Sequence, residues 1–144
     1  SIIIPCYCQG RYLGAAVRSA LAQSHPAIEV IVVDDGSDDD TGDVARAFGA
    51  PVKYIRQANA GPAAARNTGI AAATGQFFLF LDADDILCPD VVADLLRATR
   101  GRTDLVPVCG IRYFERDDDL LTGTEFVPPA GARLERLLLR NNLN

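Results

Sequence analysis

The chain has 144 residues, 49% of them hydrophobic and 23% charged, with a net charge of −5; this suits one domain with a real core and excludes disordered and fibrous classes. The acidic balance argues against a nucleic-acid backbone as partner, because phosphate binding needs a surplus of Lys and Arg on one face. Apolar runs such as Phe77 to Leu81 fall far short of the roughly 18–20 residues that cross a bilayer, and no basic leader precedes Ile2-Ile3-Ile4, so a cytosolic setting is expected.

Short apolar runs alternate with amphipathic stretches, the pattern of βαβ units that build a parallel sheet. The first predicted strand is Ile2 to Ile4, followed by a helical stripe of Tyr12, Leu13, Ala16, Val17, Ala20 and Leu21. His25, the only histidine, falls in the loop before a second strand, Glu29 to Val33, and reads as a loop residue rather than a catalytic one. Asp38, Asp39 and Asp40 then read as solvated residues that cap a short helix through Thr41. A third strand, Val52 to Ile55, leads to a small-residue helix with Pro62 at its first position and Gly75 past its end. The fourth strand is Gln76 to Leu81, apolar throughout and so expected to be buried. Pro89 suits the start of the next helix, whose stripe is Val91, Val92, Leu95 and Leu96; Asp90 near its start and Arg97 and Arg100 near its end oppose the macrodipole, and Gly101 follows. A fifth strand is expected at Leu105 to Cys109, then an extended stretch at Ile111 to Phe114, an acidic turn at Asp117 to Asp119, a Pro128-Pro129 loop and a last helix, Ala132 to Arg140. That helix mixes Arg133, Arg136 and Arg140 with Leu134 and Leu137 to Leu139, which suits either packing on further structure or peripheral contact with a membrane surface. Cys6, Cys8, Cys88 and Cys109 form no C-x-x-C pair and are read as buried thiols.

Two acidic clusters follow strands. Phe77 to Leu81 delivers Asp82-Ala83-Asp84-Asp85, and Val32-Val33 delivers Asp34-Asp35-Gly36-Ser37, with Gly36 permitting a turn that an L-residue would strain. In a parallel sheet all strand C-termini lie on one edge, so these loops and the Pro5 to Gly10 loop converge on one crevice. Carboxylates gathered there repel unless a cation or hydrogen-bond donors compensate, and a metal-bound nucleotide supplies both. Oxygen-only ligands point to magnesium or manganese. The bland alternative for Asp82 to Asp85 is an acidic loop that caps the Pro89 helix. A third segment, Asn59 to Gly69, places Arg66 about one turn inside a helix start, where it can touch a ligand or pair with Asp34 or Asp35.

These segments, Ile3-Ile4-Pro5-Cys6-Tyr7, Val32 to Ser37, Gly61 to Asn67 and Leu81 to Asp85, in this order and spacing, resemble the nucleotide-binding half of family 2 glycosyltransferases. The resemblance implies an α/β GT-A fold, a mostly parallel Rossmann-like sheet flanked by helices and incomplete at its C-terminal side. Residues 1–110 would form the nucleotide-sugar-binding core and 111–144 the start of the acceptor side of the same domain. It implies transfer of a sugar from a nucleoside-diphosphate sugar, with UDP the favoured nucleotide, to a hydroxyl of a glycan, lipid or other acceptor, with inversion and with Mn2+ or Mg2+. By the same resemblance Pro5 and Tyr7 lie beside the nucleoside, one of Asp34 and Asp35 binds the base with Arg66 close by, Asp82 approaches the ribose and Asp84 holds the metal. Cys8 stands where the family commonly has Asn, and the family's catalytic base belongs to the acceptor half, expected beyond Asn144. A non-catalytic nucleotide-sugar-binding module is the main alternative. A magnesium-dependent phosphotransferase fits less well, since its leading Asp usually follows the first strand, which here ends in Pro5-Cys6-Tyr7.

Overall fold

The structure, a computed structural model, describes residues 1–102, 106–107, 109–112 and 125–126. Contacts divide the chain into Ser1–Asp94 and Leu95–Asn144. The first unit carries a four-stranded parallel sheet in the order β3-β2-β1-β4, made of β1 (Ile2–Cys6), β2 (Val30–Asp34), β3 (Val52–Arg56) and β4 (Leu79–Phe80). Between them run α1 (Gly10–Leu21), α2 (Thr41–Ala47) and α3 (Pro62–Ala72). A fourth helix, α4 (Val91–Thr99), follows β4, and a short antiparallel pair, β5 (Ile111–Arg112) with β6 (Glu125–Phe126), lies in the second unit.

Burial follows from this order. Every residue of β1 and β2 is buried, as the central strands of a parallel sheet covered on both faces must be. Alternate side chains serve alternate faces. Ile2, Ile4, Val30 and Val32 join Leu13, Ala16, Val17 and Ala20 of α1 and Ala45 of α2, while Ile31 and Val33 meet Ala65 of α3. The two helices that step from β1 out to β3 share a face, and α3, which carries the chain back over β2 and β1 to β4, takes the other; right-handed crossovers require this split. The approach of α3 is close: a Cβ at Gly69 would overlap the Ile3 side chain.

Several expectations change. The fourth strand is two residues rather than Gln76 to Leu81, and Phe78 and Phe80 are 48% and 42% exposed, because β4 has a sheet neighbour on one side only among the described residues. Its ladder still runs on through Leu81, whose N–H donates to Ile3 O at 3.0 Å. The expected fifth strand is not formed by Val106, Pro107 or Cys109, and the rest of that stretch lies outside the described residues. Of the extended stretch at Ile111 to Phe114, Ile111 and Arg112 form β5; the acidic turn, the Pro128-Pro129 loop and the last helix lie outside the described residues. Pro62 takes the first turn of α3 as expected, whereas α4 begins two residues after Pro89. Only Cys6 is a buried thiol; Cys8, Cys88 and Cys109 are exposed. None of the α-helices of the described residues is long and apolar enough to cross a membrane.

Candidate functional site

The strand order reverses between β1 and β4, and ligands of open α/β sheets sit at the strand C-termini where this happens. A cavity of about 470 Å³ opens there. Pro5, Cys6 and Tyr7 from the end of β1 line it, with Asp35 after β2, Asn59, Gly61, Pro62 and Arg66 around the start of α3, and Asp82 and Asp84 after β4. All the sequence-predicted site residues are therefore brought together except Asp34, which does not line the cavity.

Asp34 is 1% exposed and its carboxylate is consumed internally. It accepts from Tyr54 Oη at 2.6 Å and Ser37 N at 2.8 Å, with Arg56 Nε 3.8 Å away. Burial opposes its ionisation, but these donors outweigh it and hold the carboxyl below the usual range. Its neighbour Asp35 faces the crevice. There Oδ1 accepts from Gln57 Nε2 at 2.7 Å and Ala60 N at 3.0 Å, and Oδ2 from Gly61 N at 2.8 Å. Again burial works against the charge and the hydrogen bonds prevail, so this carboxyl too is held low. The turn that presents Ala60 and Gly61 N–H groups needs glycine at Gly61, where φ is 87° and ψ 165°. Gly36, at φ 81°, lets the opposite wall close until a Cβ there would stand 2.8 Å from Asn59 N.

Beyond Gly36 the chain turns outward, and the second acid of the Asp38–Asp40 run does more than cap one helix. Asp39 Oδ1 accepts from Thr41 N at 3.0 Å and Thr41 Oγ1 at 2.5 Å, and Asp39 Oδ2 accepts from Gly10 N at 2.9 Å. One carboxylate thus serves the first turns of both α1 and α2, which have unpaired N–H groups to satisfy. The capping role expected of this acidic run is present, with α1 added to it. Cys8 sits just before α1 in a left-handed conformation, φ 52°, its N–H donating to Ser37 Oγ at 3.0 Å and its Sγ to Asp38 at 3.1 Å. That conformation suits asparagine better than it suits cysteine.

The loop after β4 is built differently. Ala83 is 1% exposed and pins the turn, in which Asp85 N donates to Asp82 O at 3.0 Å, while Asp82, Asp84 and Asp85 project outward. Arg66 pairs with Asp82 at 2.7 Å, rather than with Asp34 or Asp35, and its guanidinium lies 5.9 Å from the Phe80 ring centroid. At 34% and 53% side-chain exposure this pair is worth at most about 1 kcal/mol, so a ligand can exchange with it at little cost. Asp84 has no hydrogen-bond or ion-pair partner among the described residues. The Asp85 carboxyl is pushed up, by desolvation first and then by the charges of Asp84 and Asp82. Among the described residues no three His, Cys, Asp or Glu side chains are grouped to hold a metal unaided. His25 accepts from Ala27 N at 3.2 Å in the α1–β2 loop, at the opposite sheet edge, in keeping with a loop role.

Comparison with known proteins bears directly on this arrangement. The family model described as Glycosyl transferase family 2 matches residues 1–143. The chain belongs to glycosyltransferase family 2. Among its relatives, an uncharacterised glycosyltransferase of Nostoc is 50% identical over 93 residues, covering 62% of this chain and 29% of that protein. Glycosyltransferase GlyG of Streptococcus pneumoniae is 34% identical over 134 residues, covering 88% and 44%. The chain thus spans less than half the length of these relatives. Among solved structures, S. aureus TarS 1-349 in complex with UDP-GlcNAc matches with a TM-score of 0.64 at 30% identity, covering 69% of this chain and 30% of that TarS fragment. The mannosyltransferase PcManGT of Pyrobaculum calidifontis, in complex with GDP-Man and Mn2+, matches with a TM-score of 0.65 at 26% identity, covering 82% and 36%. The expected GT-A fold is the one these structural neighbours share.

Besides Cys6, Asn59, Gly61 and Pro62, which belong to segments already singled out in the sequence, two glutamines contribute to the site without having been named as site residues. Gln9 lines the cavity from the turn that opens α1. Gln57, just past β3, reaches Asp35. The signal available for Gln57 was its position: it follows a strand on the same edge as the acidic loops.

Proposed function

We propose that this chain forms the donor side of a glycosyltransferase that takes a sugar from a nucleoside-diphosphate sugar, with UDP the favoured nucleotide, and delivers it to an acceptor hydroxyl with inversion at the anomeric carbon. The observation that carries the reading is one crevice, at the switch point of the sheet, lined by both Asp35 and the Asp82/Asp84 loop. Tyr7, 53% exposed at the mouth, offers an aromatic face to a base, and Asp35 offers an ionised acceptor to a base N–H. Asp82, already within reach of Arg66, can exchange that partner for a ribose hydroxyl. That TarS and PcManGT were captured with UDP-GlcNAc and GDP-Man supports a nucleotide sugar as the ligand class.

The donor set fits a hard divalent cation that brings most of its own ligands. Magnesium and manganese are held by one or two carboxylates plus substrate phosphates, and Asp84 is a carboxylate at the crevice with no competing partner. When bound, such a cation would stabilise the charge that develops on the departing nucleoside diphosphate. Arg66 and the α3 N-terminus add positive potential on the same side of the crevice. Because the chain spans a minor part of its relatives, we assign acceptor recognition and the general base to the remainder of such a protein. Calorimetry of UDP and GDP binding with and without Mn2+, followed by donor turnover with the full-length protein, tests the reading. Metal-dependent binding with turnover is expected; binding without any hydrolysis or transfer would identify a non-catalytic binding module instead.

A further inference from the structure

Asp35 is held by a short polar chain that the donor site does not by itself explain. Gln57 Nε2 donates to Asp35 Oδ1 at 2.7 Å, and Gln57 Oε1 accepts from Thr68 Oγ1 on α3 at 2.6 Å. An amide has one donor end and one acceptor end, and an ionised carboxylate only accepts. Were the Gln57 amide reversed, its carbonyl would oppose the Asp35 carboxylate, acceptor against acceptor. The Thr68 hydroxyl, giving its proton to Oε1, favours the orientation seen. Thr68 sits on α3, and α3 is fixed to the sheet by the close Gly69–Ile3 contact, so the chain runs from the helix scaffold to the crevice wall.

The consequence concerns what Asp35 can still do. A carboxylate offers about four acceptor sites, and among the described residues Oδ1 already serves Gln57 and Ala60 while Oδ2 serves only Gly61. We infer that Gln57 and Thr68 are positioning residues that fix the Asp35 carboxylate with one acceptor site of Oδ2 free, and so give the crevice a preference for bases with a ring N–H. Uracil and guanine carry such an N–H; cytosine and adenine present a bare ring nitrogen at the corresponding edge, which would meet Asp35 acceptor to acceptor. A site built to receive an N–H rejects an analogue that lacks it more strongly than it rejects a change of size. The inference rests on the nucleotide-sugar reading above.

The test measures binding of UDP, GDP, CDP and ADP, each with Mn2+, to the full-length protein by calorimetry. The unaltered protein is expected to prefer the better of UDP and GDP over CDP and ADP by about tenfold or more. Gln57→Leu and the isosteric Gln57→Glu are both expected to weaken that preferred nucleotide by about tenfold and to leave CDP and ADP within about twofold, so that the preference collapses. Thr68→Val should do the same in part, and Thr68→Ser, which keeps the hydroxyl, should restore it. A purely space-filling Gln57 would tolerate Glu. Variants that keep the original base ratio, or that lose all four nucleotides equally, would overturn the inference while leaving the donor-site reading in place. Failure of the unaltered protein to bind any of the four would overturn both.

Discussion

The two acidic loops that face the crevice solve the same electrostatic problem in opposite ways. After β2, each of Asp34 and Asp35 is surrounded by donors from its own chain, and both are nearly inaccessible, at 1% and 3% exposure. After β4, Asp82 has one exchangeable cation and Asp84 has no partner at all among the described residues. A carboxylate whose partners are backbone N–H groups is set before any ligand arrives, whereas an unpartnered exposed one gains most from what the ligand brings. The first loop is therefore structural and recognising at once, and the second is reserved for binding.

If that contrast is right, substitutions should separate stability from binding. Asp34→Ala is expected to have the largest effect, a loss of about 3 kcal/mol in urea denaturation, because it strands Tyr54 Oη, Ser37 N and the partly covered Arg56. Asp84→Ala should do the converse: about a hundredfold loss of Mn2+-dependent nucleoside-diphosphate affinity by calorimetry, equivalent to about 2.7 kcal/mol, with an unchanged melting temperature. Equal effects on stability and binding at both positions would erase the distinction. Acid should cost stability through the first loop. The carboxyls of Asp34, Asp35 and Asp39 all lie below their ordinary value in the folded chain. Their contribution is thus present above the unfolded value near 4 and is lost as pH falls through the lower folded values. Unfolding free energies from urea denaturation should fall as pH drops below about 4 in the unaltered chain, and by less in Asp34→Asn. The smallest effect is a gain. Cys8→Gly relieves a left-handed cysteine and should raise stability by about 0.5–1 kcal/mol in thermal melts.

How much of this was legible in the sequence divides along similar lines. Strand C-termini share one edge whenever a sheet is parallel, so alternation of apolar runs and amphipathic stretches was enough to bring Pro5, Tyr7, Asp35, Arg66, Asp82 and Asp84 to one place. Which partner each would take was not legible. Arg66 pairs with Asp82, while Asp34 and Asp35 already hold Tyr54, Ser37, Gln57 and the Ala60–Gly61 backbone as donors, and those partners come together only in three dimensions. The two exposed phenylalanines tell the complementary story. Phe78 and Phe80 belong to a run that composition alone reads as buried, and it is the sheet order, with β4 next to β1 only, that leaves them uncovered in the described residues.

The double duty of Asp39 has a consequence for how this region can change in length. Because one carboxylate holds Gly10 N and Thr41 N together, the stretch from Gly36 to Thr41 is gauged against the start of a helix nearly thirty residues upstream. One residue inserted there would unseat two helices at once. The exposed turn at residues 49–51, where Gly49 has open space around it, carries no such double contact. Insertion scanning should find the β2–α2 loop intolerant of any added residue and the α2–β3 turn permissive, so that length variation in this half of the molecule is channelled away from the crevice.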